Sequence, residues 1–363
     1  MKTVYILGAG FSVEAGAPTQ AAILERAFEL YAQQPNVFDF EKFSIFKKFL
    51  KDQLNAADDQ LSGVDLEDIF TPLDRCLAES SQFRGIGLDS IMKVREAVFY
   101  VVGRTIQILL DRTTKSKDYI DHFAEHLVNL SAVRARAQYR SEDPVSVIST
   151  NWDILLDNSI YSYLQQGGRY DGVVDYCCYI SSKDESDPSV TPGLEKLGQG
   201  GFNVKLLKLH GSLNWLQCPR CARLYAKFFE KVAIHQFNLS NSCRHCDRNF
   251  PEEKNKHLLS QNLIMPTYLK DLSNPQYRII WQNAGIEISE ADQIVFIGYS
   301  LPQADFEMRQ LLSRMTRNNA KIHVVDYLAE DKQESLKKHW TKFFGGREIS
   351  FSFEGAKSFV NGL

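Results

Sequence analysis

No stretch of this sequence stays apolar for the ~20 residues that a membrane-spanning helix needs. Charge of one sign is also missing. The 42 basic and 45 acidic side chains leave a net charge of −3, without the basic excess of a typical nucleic-acid binder; only a local basic patch stays open. Internal repeats, low-complexity segments and a Walker motif are absent. The opening "MKTVYILGAGFS" has too short an apolar run, and no cleavage site, for a signal peptide. It reads as mature structure, and the expected location is cytoplasmic. The cysteines number seven, an odd count that does not suit a full disulfide framework. Four of them fall in two C-x-x-C pairs, which in a reducing compartment read as metal ligands.

The composition is otherwise that of a globular chain, with 363 residues of which 44% are apolar and 24% charged. "TVYIL" (3–7) is a short β-prone run ending at Gly8. "GAGFSVEAGAPT" follows, then a helical pattern in "QAAILERAFELYAQQ". From about Phe38 to Val133 apolar residues recur three and four apart, as in "FEKFSIFKKFLKDQL" and "SIMKVREAVFYVVGRTIQILLDR". This block, 31–135, is expected to be an all-helical insertion. Its "DLEDIF" carboxylates Glu67 and Asp68 read as solvated. Buried strands are expected at 144–150, 204–210, 293–298 and 320–326, because each is a largely apolar run. The alternation predicts an α/β fold with helices on both faces of a parallel sheet.

Five motifs could carry chemistry. "GAGFSVEAG" (8–16) places glycines at a strand-to-helix turn, where backbone can approach a pyrophosphate. Its spacing is G-x-G-x5-G, and no acidic residue ends a second strand ~20 residues on; a plain glycine turn fits equally. "STNWD" (149–153) puts Thr150, Asn151 and Asp153 after a buried strand, either at a ligand edge or as a helix N-cap. "KLHGS" (208–212) ends a strand on His210, a proton acceptor near neutrality or a histidine satisfied by backbone. Cys218-x2-Cys221 and Cys243-x2-Cys246 are separated by 21 residues. That is one beyond the usual window for a four-cysteine zinc site, which would be structural and closed. His235 or His245 could replace a cysteine, and Arg220, Arg223, Arg244 and Arg248 leave a zinc-ribbon nucleic-acid contact open beside a solvated surface. "IGYSLPQAD" (297–305) places Gly298 and Ser300 after another strand.

The order of these motifs is more informative than any one. GAGxSxxAGxP, T-N-x-D, HGS, two C-x-x-C pairs and G-x-S-L-P in sequence resemble the sirtuin (silent information regulator) superfamily of NAD-consuming enzymes. The resemblance implies a Rossmann-like open parallel sheet for NAD in segments of about 1–30, 143–212 and 260–363, with a zinc-binding module at 213–259. It implies that Gly8, Ala9, Gly10 and Ser12 cradle the NAD phosphates, with Phe11, Thr19, Thr150 and Tyr299 in the same binding set. Asn151 would hold the nicotinamide ribose or a water, Asp153 the nicotinamide amide, and His210 would be the base. Gly298 and Ser300 would line the phosphate or ribose path, and Asp326 the adenosine ribose. Zinc would be structural, held by Cys218, Cys221, Cys243 and Cys246.

Departures from the pattern separate branches. Deacylating sirtuins have Asp-Phe-Arg after the proline, where this chain has Thr19 and Gln20 after Pro18. They have Gln where Thr150 stands, and an acyl-lysine strand where this chain reads "LIMPTYLKDLSNP". The chain is thus more similar to prokaryotic sirtuin-like effectors that hydrolyse NAD in antiphage defence. That resemblance implies NAD glycohydrolase activity, a homo-oligomer, and a trigger from phage or from a partner such as a HerA-type ATPase or an Argonaute-like subunit. A lysine deacylase, and a non-catalytic NAD or ADP-ribose sensor or zinc-ribbon nucleic-acid-binding subunit, are the alternatives.

Overall fold

The computed structural model describes residues 1–135, 142–187, 189–228, 242–261 and 263–363. Among them are ten strands: β1 (Thr3–Leu7), β2 (Val145–Ser149), β3 (Gly172–Asp175), β4 (Ile180–Ser182), β5 (Phe202–Lys208), β6 (Trp215–Gln217), β7 (Leu224–Ala226), β8 (Gln293–Ile297), β9 (Lys321–Val325) and β10 (Ile349–Ser352). Seven form one sheet in the order β10-β9-β8-β1-β2-β5-β3. Every pair in it is parallel. The five expected strands are β1, β2, β5, β8 and β9. Val4, Ile6, Val147, Ile148, Leu206, Ile294 and Phe296 are fully buried on them, because helices cover both faces of a parallel sheet.

β3 and β10 were not anticipated. They are the two edges of the sheet, and none of the four residues of β10 is fully buried. β3 is mostly buried, but at four residues, GVVD, it is too short to write a long apolar run, and β10 lacks the continuous apolar run that marks the inner strands. The other three strands form a small second sheet, β4-β7-β6, with β6 and β7 antiparallel. It draws β4 from outside the 213–259 stretch.

β1 and β2 are direct neighbours, in register from Thr3↔Val145 to Leu7↔Ser149. All the chain between them is therefore one crossover, and its described residues form helices at Ile23–Gln33, Phe40–Asp52, Leu66–Glu79, Leu88–Arg112 and Asp118–Ser131. The helical character expected of 31–135 is observed. The helix Asp118–Ser131 packs on β2 and β5 and on the helix Leu155–Gln166. It is a layer of the sheet itself, so the part of the block that lies off the sheet ends before it.

Strand order reverses at β1, with β2, β5 and β3 on one side and β8, β9 and β10 on the other. Open parallel sheets bind ligands outside the carboxyl ends of the strands at such a point. The opposite edge of the sheet carries an ion cluster. There Lys2 pairs with Asp143 at 2.6 Å, Glu287 at 2.7 Å and Glu290 at 2.7 Å, and Lys205 pairs with Asp143 and Glu287 at 2.6 Å each. Arg134 adds a further contact to Asp143. No helix among the described residues is long and apolar enough to cross a membrane.

Candidate active site and metal centre

Five strands end at one cavity. The residues after β1 (Gly8, Ala9, Gly10), β2 (Thr150, Asn151, Asp153), β5 (His210), β8 (Gly298, Tyr299, Ser300) and β9 (Asp326) all line it, as does Thr19. Its volume is about 410 Å³, within the ~300–1,000 Å³ usual for small-molecule sites.

The glycine turn differs in detail from its expected use. The N–H groups of Gly10, Phe11 and Ser12 donate to Gly298 O (3.0 Å), Gly8 O (2.9 Å) and Ala9 O (3.1 Å). They hold the turn together before any ligand arrives. Phe11 and Ser12 are buried and are not among the residues that line the cavity. The Phe11 ring packs against Tyr119 and Phe123 at centroid distances of 5.8 and 5.5 Å. Ser12 Oγ sits 3.5 Å from Asn151 Nδ2.

Asn151 is held by its amide, whose Nδ2 donates to Gly8 O at 2.9 Å. Thr150 is anchored to β1 through its hydroxyl and its N–H, both donating to Leu7 O at 3.1 and 3.0 Å. Asp153 Oδ1 accepts from Leu155 N–H at 3.1 Å. Burial pushes the Asp153 carboxyl above its ordinary range, against the pull of Lys208 and that N–H. Lys208 supports the loop from below, donating to Asp153 O and pairing with Asp157 at 3.1 Å. Burial likewise raises the Asp326 carboxyl.

The His210 backbone is clamped by the chain around it. Its carbonyl accepts from Ile264 N–H at 3.0 Å, and Trp152 Nε1 donates to Ile264 O at 3.2 Å. Leu213 N–H donates to Trp152 O at 2.9 Å. Its imidazole Nε2 is 3.3 Å from Asp305 Oδ1. Asp305 in turn accepts from Tyr299 Oη at 2.7 Å and lies 3.2 Å from Lys270 Nζ. Burial alone would raise the Asp305 carboxyl. The His210 and Lys270 charges and the Tyr299 hydroxyl outweigh it and hold the group well below the carboxylate range.

Asp305, Lys270 and Glu67 line the cavity without having been anticipated. Asp305 sits seven residues past Gly298 in "GYSLPQAD", as N-cap of the helix Phe306–Met315; an acidic residue at a helix start was the available signal. Glu67 comes from the helical block, where Gln20 Nε2 donates to it at 2.7 Å. The solvated-face reading therefore fails for Glu67, since helix Leu66–Glu79 abuts the site.

The four cysteines of the two C-x-x-C pairs converge, with all four Sγ atoms within 4.8 Å of one another. Cys218 and Cys246 lie 3.7 Å apart and Cys221 and Cys243 3.8 Å apart, without disulfides. A tetrahedron with Zn–S of ~2.3 Å has edges of ~3.8 Å, so the donor set fits zinc. Burial opposes ionisation of Cys243, but the Tyr225 hydroxyl, the Cys246 N–H and neighbouring thiols bring it down to about 7. His245 is exposed and outside the cluster; His235 lies outside the described residues. The arginines have local partners: Arg220 stacks on Phe250, Arg223 on Tyr179, and Arg244 and Arg248 pair with Glu185.

No family model matches the chain, and no curated protein matches its sequence. Solved structures similar to it include Sir2 homologues. One, a Sir2 homologue in complex with NAD, is 13% identical, with 99% of this chain and 87% of that chain covered and a TM-score of 0.45. A mutant Sir2 homologue in complex with ADP-ribose is 13% identical, with 99% and 89% covered and a TM-score of 0.43. Sir2Tm bound to a propionylated peptide is 13% identical, with 99% and 90% covered and a TM-score of 0.37. At this identity and TM-score nothing about the site transfers.

Proposed function

We propose that the protein is an NAD+ glycohydrolase that releases nicotinamide and ADP-ribose. The supporting observation is the single cavity at the switch point that gathers Asn151, Asp153, His210, the glycine turns and Asp326. With Asn151 Nδ2 committed to Gly8 O, its Oδ1 is the atom left to accept from a water. In the reaction the bond between C1′ and the nicotinamide nitrogen breaks, and nicotinamide leaves with the electron pair. Water adds to C1′, and its proton passes to His210. Positive charge develops on the ribose, where fixed dipoles in a site shielded from water stabilise it. Asp153 faces the nicotinamide amide, and Asp326 the adenosine ribose. Zinc held by four thiolates has no open position and takes no part in the chemistry.

Chromatography of purified protein incubated with NAD+ tests this. Nicotinamide and ADP-ribose are expected without any acylated peptide. His210→Ala and Asn151→Ala should each lose ~10²-fold or more, the usual cost of a lost general base, in protein that circular dichroism shows to be folded at the assay temperature. Turnover retained in both variants would defeat the mechanism. Release only with acylated peptide would make the protein a lysine deacylase, and binding without turnover a sensor. In the cell, the reading is an antiphage effector acting by NAD depletion, as a homo-oligomer or with a partner of the HerA-type ATPase or Argonaute-like kind. Cellular NAD loss on infection, abolished by His210→Ala, is the corresponding test.

A further inference from the structure

Behind His210 lies a row of buried charges that the hydrolysis chemistry above does not use. Asp305 and Lys270 side chains are 5% and 2% exposed, and His210 itself 13%. Lys270 Nζ donates to Ala304 O at 2.8 Å and lies 3.0 Å from Glu307. Such a row is costly to bury and persists only when its members are paired. His210 Nε2 and Asp305 Oδ1 are both buried, and neither forms an aligned hydrogen bond. Asp305 Oδ1 lies 3.3 Å from His210 Nε2 and 3.2 Å from Lys270 Nζ, so the imidazole and the ammonium share one carboxylate oxygen. Buried polar atoms left without partners cost about 1–3 kcal/mol each, so the pair has reason to close. Tyr299 Oη fixes Asp305 from the far side. The His210 backbone is pinned by Ile264, so only rotation of its side chain remains to be set.

We propose that Asp305 is the positioning residue for His210, holding Nε2–H toward itself so that Nδ1 presents its lone pair to the cavity, with Lys270 limiting how strongly Asp305 draws the proton. An anionic Asp305 accepts only from a protonated Nε2, which selects one tautomer of the neutral ring. When His210 takes a proton, the same carboxylate stabilises the imidazolium, as buried carboxylates do in triads. Lys270 offsets part of that charge, and Glu307 offsets part of Lys270. Glu67, Asp153 and Asp326 are the other acidic groups in the cavity walls among the described residues.

The arrangement makes two substitutions act in opposite directions. Asp305→Asn removes the anion, so the His210 titration midpoint should move down by about a unit or more, and the Nε2–H tautomer should lose its dominance. Lys270→Met leaves Asp305 less compensated, so the midpoint should move up. Nitrogen-15 spectra of histidine-labelled protein, with His210 assigned by the missing signal of His210→Gln, read both without any substrate. Shifts of opposite sign support the proposal. An unmoved midpoint in both variants, or shifts of the same sign, overturns it, and if one variant does not fold the sign of the other decides. The kinetic arm rests on the NAD-hydrolysis reading: kcat should fall ~10²-fold or more in Asp305→Asn, with KM little changed, and the acid limb of kcat should rise in pH for Lys270→Met. Wild-type protein without NAD+ turnover would remove that reading and leave the spectroscopic result standing.

Discussion

Gly298 lies directly across Gly10 at the switch point of the sheet. The Gly10 N–H donates to the Gly298 carbonyl at 3.0 Å. A Cβ on Gly298 would overlap Phe11 N and the Gly10 backbone, and one on Gly10 would come within 2.7 Å of Gly298 Cα. Gly298 also has φ of +60°, where an L side chain costs about 1–2 kcal/mol. The two turns that border the cavity are therefore glycine for each other's sake as much as for a ligand's. Gly298→Ala should destabilise the protein by about 2–4 kcal/mol, and denaturant unfolding measures it. A loss under 0.5 kcal/mol would show that the turns separate easily.

Zinc and the cavity are connected through the backbone of His210. The stretch that carries the four cysteines departs from β5 at Gly211 and returns through Leu263–Met265, where Ile264 N–H meets His210 O. The module closes on itself between those points, with Gln217 and Ser260 exchanging hydrogen bonds at 2.7 and 3.0 Å. Chelation, or Cys246→Ser, should release one zinc per chain, lower the melting temperature, and reduce NAD+ turnover through displacement of His210. A zinc-free protein with full turnover and an unchanged melting temperature would contradict the coupling.

The inner strands and the two ligand edges were legible because each strand buried on both faces writes a continuous apolar run, and each ends on small or polar residues. "VSVIST-N-W-D" and "KLLKLHGS" announced Asn151, Asp153 and His210 in this way, and the two C-x-x-C pairs announced the thiolate cluster. Other parts of the site were not legible. Glu67 reaches the cavity only because the helix Leu66–Glu79 folds back over it. Lys270 lies in an irregular stretch with no periodicity to read. The engaged N–H of Gly10 follows from contact with Gly298 after β8, which is remote in sequence, while those of Phe11 and Ser12 close on Gly8 and Ala9 within the turn itself.

The helical block should influence ligand binding through Glu67. Its carboxylate lines the cavity and is fixed by Gln20. The basic side chains lining the cavity are His210 and Lys270, and Lys270 is committed to Asp305 and Glu307. On the proposed function a dinucleotide would bring two phosphates into this space, and the added negative charge of Glu67 would oppose it. Glu67→Gln should lower KM for NAD+ by ~2–10-fold with kcat little changed. Steady-state kinetics at low ionic strength reads this best, since salt screens the effect. A raised KM would assign Glu67 to holding the ligand instead.

Acid should unfold the protein through the cluster at the far edge of the sheet. Burial alone would raise the Asp143 carboxyl, but Arg134, Lys205 and Lys2 outweigh it and hold it well below the ordinary range. A carboxyl depressed in the folded state binds protons more readily once unfolded. Its stabilisation is therefore complete above the unfolded value of about 3.9 and is lost as pH falls toward the folded one. Asp305, depressed in the same direction, adds to the slope. The urea midpoint should be flat with respect to this group above about pH 5 and should fall steeply below pH 4. Asp143→Asn should remove about 3 kcal/mol at neutral pH, as when one partner leaves a buried ionic cluster, and should make the acid limb shallower. Because Asp143 pairs with Lys2, just before β1, and with Lys205, midway along β5, while the cavity lies past the ends of both strands, any NAD+ turnover below the melting temperature should stay at the wild-type level. A variant as acid-sensitive as the wild type would mean that the limb arises elsewhere.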